Sequence, residues 1–383
     1  MFHVSKPKEP VFQKFSNAIK ILLINSQIFG LVTITSTAKT FEPSKIKCIW
    51  NVAILCIYTS TIAYCVHLTV AEFIETTGIQ RTTNTMVMIS SAVYLGTVWV
   101  SSITKSDQFI KFLMTIVDFD DKLFSNGIGL DYDKTKKHIV LQMVARNTLF
   151  VFYFGFFIIV DLQYRDFNSY LMECSALFML VMNSALCFLA IELIHILRAR
   201  FKVLNQHINT LAQQGTKKTR KQGILPLNKI CTLHHHLSKL IKSFNEIFGV
   251  ILLLMFTLSF LVIVLSLFYT TAELQSSVIV WMDAFYAFMT SVTFIIDTIY
   301  VCDACYSTIQ EANLSGELIH KIDAQDRHTI DEIEMFSLQI ANEQVEFNAA
   351  GFFPINYTLV FSIIGGVTTY IIILIQLSNT LRE

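Results

Sequence analysis

The sequence predicts an all-α membrane protein with seven transmembrane helices, its N-terminus in the cytoplasm and its C-terminus outside the cell. The first observation is the composition: the 383-residue chain is 53% hydrophobic and only 15% charged, against about 25% charged residues in soluble domains. So few charged side chains cannot cover a globular surface, and lipid must therefore form part of the solvent. The net charge of zero lacks the basic excess that nucleic-acid binding requires, which excludes that class of partner.

The second observation is a series of seven apolar stretches, each close to the roughly 20 residues that a helix needs to cross the bilayer core. Four are free of charged side chains, and the other three contain or border single ionisable residues such as Arg146 and Asp297. In chain order, the predicted spans are residues 48–71, 82–104, 139–160, 174–191, 247–272, 278–302 and 357–377.

The third observation is the distribution of basic residues, because loops rich in lysine and arginine are retained in the cytoplasm. Of the 29 basic residues, 25 lie in the N-terminal segment or in the loops after the second, fourth and sixth spans. This predicts a cytoplasmic N-terminus and, after seven crossings, an extracellular C-terminus. G-protein-coupled receptors place their seven helices in the opposite orientation, so the charge distribution argues against that class.

A shorter apolar run at 21–38 precedes the first span. It is free of charge but is interrupted by Asn25, Ser26, Gln27 and Gly30. Counting it as a span would place a strongly basic segment on the wrong side of the membrane. We therefore expect an interfacial or re-entrant amphipathic helix here.

The loops on the cytoplasmic side are long and have helical periodicity. Apolar residues continue at helical spacing past the fourth span to Ile208, and they begin again at Leu233 before the fifth. Residues 303–346 form the last inner loop, and the segment from Asp331 to Phe347 is amphipathic. We expect a cytoplasmic layer of packed helices that anchors the bundle. The ten acidic residues of the loop form either a solvated surface or a vestibule that concentrates cations.

The last span carries polar residues at a regular spacing. Ser362, Thr369 and Gln376 recur every seven residues, so they lie along one face that turns by only about 20° per heptad. Gly365 and Gly366 lie between them. The stripe is either a seam of small residues for helix packing or the lining of a pore. One such helix cannot enclose water, so a pore requires several copies of the chain around an axis.

The C-terminal residues also carry a recognisable motif. The segments 347–356 (FNAAGFFPIN) and 363–377 (IIGGVTTYIIILIQL) resemble the insect gustatory receptor family. That family is marked by Thr-Tyr, five hydrophobic residues and Gln-Phe near the C-terminus. A looser resemblance includes 244–249 (FNEIFG), where the chain enters the fifth span.

Thr369, Tyr370 and Gln376 match the family motif, and Leu377 replaces its usual Phe. The resemblance implies a gustatory receptor of the plasma membrane that acts in taste as a ligand-gated, non-selective cation channel for small molecules. It also implies a tetramer whose seventh helices surround one pore, with Gln376 and Leu377 at the gate, built from identical chains or together with other gustatory receptors. The sweet-responsive branch of the family has an acidic residue where this chain has Ile371, so bitter-type and fructose-like ligands both stay open.

By the same resemblance, a ligand pocket lies in the outer half of each subunit. Residues there that combine hydrogen-bonding groups with aromatic faces suit small polar or nitrogenous ligands, and the same residues serve equally in packing between helices. The candidates are Trp281, Asp283 and Tyr286 on the sixth span, Glu173 at the start of the fourth, and Tyr153 and Phe157 on the third.

Nothing in the sequence indicates an enzyme, a cofactor or a metal. Cys302 and Cys305 lack a second pair at zinc-binding spacing, and His234, His235 and His236 are adjacent, so their side chains point in different directions. Phosphate-loop, nucleophile-elbow and HExxH motifs are absent from the sequence. The competing function is a membrane transporter, or a sensory receptor without its own pore, but the internal repeats typical of transporters are not detectable.

Overall fold

The computed structural model describes residues 9–71, 78–161, 167–214, 225–274, 281–324 and 326–380, and these ranges are almost entirely helical. The helices are α1 (Glu9–Ile28), α2 (Lys45–Ala71), α3 (Gly78–Thr104), α4 (Ser106–Ser125), α5 (Tyr132–Asp161), α6 (Phe167–Gln214), α7 (Leu227–Leu274), α8 (Trp281–Ile319), α9 (Arg327–Asn342) and α10 (Tyr357–Thr380). Two short antiparallel strands, β1 (Ile34–Ser36) and β2 (Phe41–Pro43), form a hairpin between α1 and α2.

Six of the described helices are long and apolar enough to cross a membrane, namely α2, α3, α6, α7, α8 and α10. The third predicted span falls in α5, where most of the side chains from 153 to 161 lie outside the described residues. The prediction of an all-α membrane protein is therefore confirmed.

Helices α6 and α7 are too long to lie entirely within a membrane. Each has 48 residues, or about 72 Å at 1.5 Å per residue, which is more than twice the thickness of the bilayer core. Beyond the fourth span α6 stays packed against α7 and α8, and α9 packs against α7 and α8. We call this layer the helical base and define it as α4, α9 and residues 192–214, 227–246 and 303–319. Its buried side chains include Phe201, Phe244 and Phe336.

The run at 21–38 is not a single amphipathic helix. α1 ends within it, and the chain turns at Gly30, whose φ of 70° lies in the left-handed region. The Leu31 amide donates to the Ser26 carbonyl at 2.8 Å, which is the bond that ends a helix at such a glycine. The β-branched residues that follow favour the strands of the hairpin. The expectation of one helix over this run is therefore wrong in its second half.

A buried ion pair joins α4 to α6 in the helical base. The Arg200 guanidinium donates from Nε to Asp120 Oδ1 at 2.9 Å and from Nη2 to Oδ2 at 2.5 Å. The Tyr132 hydroxyl donates to the same carboxylate at 2.7 Å, and the Phe15 ring centroid lies 5.7 Å from the guanidinium carbon. Burial raises the pKa of Asp120 because it removes water, and the charge of Arg200 opposes that rise. The pair thus holds α1, α4, α5 and α6 together.

Replacing Asp120 with alanine should lower the free energy of unfolding by about 3–5 kcal/mol, because the Arg200 charge would stay buried without its partner. The matched control is Asp118→Ala on the same helix, which removes a more exposed pair with Lys122 and should cost at most about 1 kcal/mol. Thermal unfolding of the purified chain in detergent compares the two variants. Equal losses would contradict a structural role for the buried pair.

Candidate functional site

Helix α10 is the least covered of the six apolar helices. Only 6% of its most apolar stretch is buried within the chain, whereas the corresponding share of α6 is 89%. One side of α10 packs against α7 and α8, and Val367 is buried there. The other side carries large apolar side chains that are about half exposed or more, among them Phe361, Ile364, Ile372 and Ile373. An apolar face of this kind needs lipid or another protein to cover it.

The polar stripe lies in the middle of this uncovered face. Ser362, Thr369 and Gln376 are all exposed, and at about 100° per residue they fall within about 40° of one another. Val367 points about 160° away from Thr369, toward the packed side of the helix. The stripe therefore faces away from the rest of its own subunit.

The two hydroxyls of the stripe form hydrogen bonds within α10. Ser362 Oγ donates to the Thr358 carbonyl and Thr369 Oγ1 donates to the Gly365 carbonyl, both at 2.9 Å. Serine and threonine side chains in helices often bond back to a carbonyl in this way. These hydroxyls can therefore face either a neighbouring helix or water without losing a partner.

Gly366 and Tyr370 fix α10 against α7. The Tyr370 ring meets the Phe260 ring edge to face, with centroids 5.8 Å apart. A Cβ atom at Gly366 would lie 2.9 Å from Cε2 of the same ring, so a residue without a side chain lets the two helices approach this closely. Tyr370 of the Thr-Tyr motif therefore packs against α7 on one side, and 53% of the residue stays exposed.

Two segments that belong to the family resemblance touch each other. They are 244–249, where the chain enters the fifth predicted span, and 347–356, just before the seventh. Asn245 Nδ2 donates to the Glu346 carbonyl at 2.7 Å, and Asn245 Oδ1 accepts from the Asn348 amide at 3.3 Å. One side chain of α7 thus binds both a donor and an acceptor of the backbone that leads into α10.

The same contact leaves no room for a side chain on one face of α7. A Cβ atom at Gly249 would lie 2.9 Å from the backbone nitrogen of Ala350 and 3.2 Å from its Cα. Ala350 itself has a φ of 52°, within the tight turn before α10. Next to this contact, the rings of Phe244 and Phe347 meet edge to face with centroids 5.5 Å apart. Contacts with α7 therefore help to set the starting position of α10, together with α8, where Tyr357 donates a hydrogen bond to Asp303.

A buried polar network joins four helices in the membrane-spanning part of the chain. Arg146 Nη2 of α5 lies 3.5 Å from Asp297 Oδ1 of α8. Asn183 Nδ2 and Ser184 Oγ of α6 donate to the Asp297 carboxylate at 3.2 and 3.3 Å, and the Tyr94 hydroxyl of α3 donates to Asn183 Oδ1 at 3.1 Å. Charged groups in a membrane are costly unless they are paired. Two opposite charges in separate apolar stretches are the sequence signal for this pair.

The candidate pocket residues are only partly described. Trp281 is 67% exposed at the start of α8, and Tyr286 on the same helix and Glu173 on α6 are half-buried. The pocket therefore stays a prediction. The side chains that lie outside the described residues are those of Tyr153, Phe157, Asp283 and, at the expected gate, Leu377.

The sequence pattern of one protein family covers most of the chain. The family described as "7tm Chemosensory receptor" matches residues 19–379. The chain is 24% identical to gustatory receptor 68a of Drosophila melanogaster over 318 residues, which is 79% of this chain and 77% of that protein. It is 27% identical to the gustatory receptor for bitter taste 66a of the same species, over 41% of this chain and 31% of that protein. The chain thus matches less than two thirds of the length of the bitter-taste receptor.

A solved structure has the same fold. The insect olfactory receptor OR5 from Machilis hrabei, determined in complex with eugenol, superposes with a TM-score of 0.66 over 96% of this chain and 99% of that chain. The two sequences are 15% identical, so the similarity is one of fold. The relatives also confirm the resemblance to insect gustatory receptors, a class of receptors and not of enzymes.

Gly249→Ala should lower the free energy of unfolding by about 1–3 kcal/mol, because the new methyl group clashes with backbone atoms of Ala350. Unlike a side chain, these atoms cannot change rotamer to relieve the clash. The matched control is Gly96→Ala in α3, where the atom nearest to an added Cβ is Leu55 Cδ1 at 3.9 Å. There the higher helix propensity of alanine should leave stability unchanged or raise it. Thermal unfolding in detergent measures both variants. Equal stability of the two would contradict a tight contact at Gly249.

Proposed function

The chain belongs to the 7tm chemosensory receptor family, and from this premise we propose that it is a gustatory receptor that acts as a ligand-gated, non-selective cation channel. Four copies assemble in the plasma membrane around an axis lined by α10. The observation that carries this proposal is the uncovered face of α10 with the polar stripe at its centre.

The polar centre of this face favours contact with water over contact with lipid. A glutamine side chain in hydrocarbon is costly, whereas in a water-filled pore it is solvated. When Gln376 points to the axis, flanking apolar side chains such as Ile372 are covered by neighbouring copies. The number of four copies follows the family resemblance.

Gln376 and Leu377 form the gate, and Thr369 and Ser362 line the pore further in. The gate residues lie near the C-terminal end of α10, so an extracellular C-terminus places the gate at the outer end of the pore. The distribution of basic residues supports this orientation. The same orientation places the helical base in the cytoplasm.

The ligand is a small-molecule tastant that enters among the helices of one subunit. One relative is named as a receptor for bitter taste, and the structure of OR5 contains eugenol. Bitter-type and fructose-like compounds are the two candidates for this chain, which works as a homotetramer or together with other gustatory receptors. The proposed pocket residues are Tyr153, Phe157, Glu173, Trp281, Asp283 and Tyr286.

Reconstitution of the purified chain alone in planar lipid bilayers tests the channel function. We expect cation currents that appear on addition of compounds from a panel of alkaloids and sugars. A transporter, or a receptor that depends on a separate channel, gives no ligand-evoked channel current even when size-exclusion chromatography shows an intact assembly. That outcome contradicts a channel formed by four copies of this chain.

Gln376→Ala should raise the basal current or shift the half-maximal ligand concentration several-fold, because it removes the polar side chain at the gate. Assembly should be unchanged. The matched control is Thr368→Ala: Thr368 is also exposed on α10 and donates to the Ile364 carbonyl at 2.9 Å, but it lies about 100° from Thr369 and outside the stripe. Whole-cell recording compares the two variants. Unchanged ligand-evoked and basal currents in Gln376→Ala would contradict a gate role.

A further inference from the structure

Three side chains of types that bind metals meet where α5 contacts α6. They lie outside both α10 and the proposed pocket. They are His138 of α5 and Glu192 and His195 of α6, and their candidate ligand atoms all lie within 4.8 Å of one another. We propose that these three side chains bind a divalent transition-metal ion of the Zn²⁺ class. Metal binding at this position does not depend on channel activity.

Two of the three distances between the donor atoms match those of a tetrahedral zinc site. His138 Nε2 lies 3.3 Å from His195 Nδ1 and 3.6 Å from Glu192 Oε1. Zinc bonds to imidazole and carboxylate are about 2.0–2.2 Å long, which at tetrahedral angles separates neighbouring ligand atoms by about 3.3–3.6 Å. The third distance, between the donor atoms of Glu192 and His195, is at most 4.8 Å, so an ion among the three atoms requires side-chain movement mainly between these two.

The two helices supply the donors from facing sides. Glu192 and His195 are three residues apart on α6, so their side chains lie on the same face of the helix. The spacing Glu-x-x-His is also used for metal ligands inside helix bundles. His138 comes from the first turns of α5, and 57 residues separate it from His195 in the chain. The local spacing in the sequence therefore marks only the two ligands of α6, and an ion bound at the site ties α5 to α6.

The charges around the cluster are of both signs: Arg146 acts on Glu192, and Arg198 and Asp303 act on His195. The side chain of Glu192 is 2% exposed, and a buried carboxylate needs positive charge beside it. A divalent ion bound directly to the carboxylate adds to the charge of Arg146 while both imidazoles stay neutral. The His138 side chain is 42% exposed, which leaves a route for the ion and a position for water as the fourth ligand.

The ligand types indicate which ion is bound. Two imidazole nitrogens and one carboxylate oxygen suit zinc and its neighbours in the first transition row. Calcium and magnesium prefer sites made of oxygen ligands alone. Because Glu192 and His195 lie just beyond the fourth predicted span, the ion holds the first turns of α5 to the helical base.

The test uses the full-length chain in detergent micelles, stripped of metal by a chelator that is then removed. Isothermal titration with zinc chloride should show one ion bound per chain, and Co²⁺ should give the visible absorption of a tetrahedral site. Glu192→Gln and His195→Gln should each weaken Zn²⁺ binding by at least about tenfold, because each removes one ligand of the ion.

The matched control is His207→Gln, about three turns further along α6, where His207 Nδ1 lies 3.0 Å from the Val203 carbonyl oxygen. This variant should bind Zn²⁺ as the original chain does. If the Glu192→Gln variant does not fold, the His138→Gln variant, which lacks the more exposed ligand, is measured in its place. The proposal is overturned if the original chain binds no Zn²⁺, or if neither His138→Gln nor His195→Gln changes its affinity for Zn²⁺.

Discussion

A single copy of this chain cannot cover its last apolar helix, and this constraint determines how α10 can be accommodated in a membrane. α6, α7 and α8 bury their apolar sides against one another, whereas α10 touches α7 and α8 along one side only. Apolar surface costs about 25 cal/mol per Å² when it faces water, so the uncovered face requires lipid or further copies of the chain. The polar stripe at its centre favours further copies, arranged with the stripe toward a water-filled axis.

A helix with so few neighbours can serve in an assembly only if its direction is fixed. Several contacts with α7 fix the direction of α10. Asn245 binds the backbone before α10, Gly249 lets that backbone approach, and Phe260 receives Tyr370 further along the helix. The short C-terminal motif therefore combines two roles, since Tyr370 packs against α7 while Thr369 lies on the uncovered side. α7 also runs through the helical base, so it contacts both the base and α10.

The sequence predicted the features that depend on long-range apolar pattern. The apolar stretches and their periodicity predicted membrane helices and the extension of α6 and α7 past the membrane, because burial of one helix face leaves a regular trace in the chain. Apart from the two opposite charges of Arg146 and Asp297 within apolar stretches, contacts between distant residues left no such trace: the pairing of Arg200 with Asp120 and the approach of His138 to α6 follow only from the folded arrangement. The hairpin after α1 was missed because one left-handed residue, Gly30, ended the helix inside an apolar run.

Two adjacent threonines of α10 allow the most direct test of the pore arrangement. Thr368 and Thr369 are both exposed and both bond to their own helix, yet only Thr369 lies on the stripe. Thr369→Cys and Thr368→Cys are treated with a water-soluble methanethiosulfonate reagent during ligand-evoked current, with the original chain and its eight cysteines as the control. A pore lined by the stripe predicts that the reagent changes the current only in Thr369→Cys. A change in Thr368→Cys with none in Thr369→Cys would contradict it.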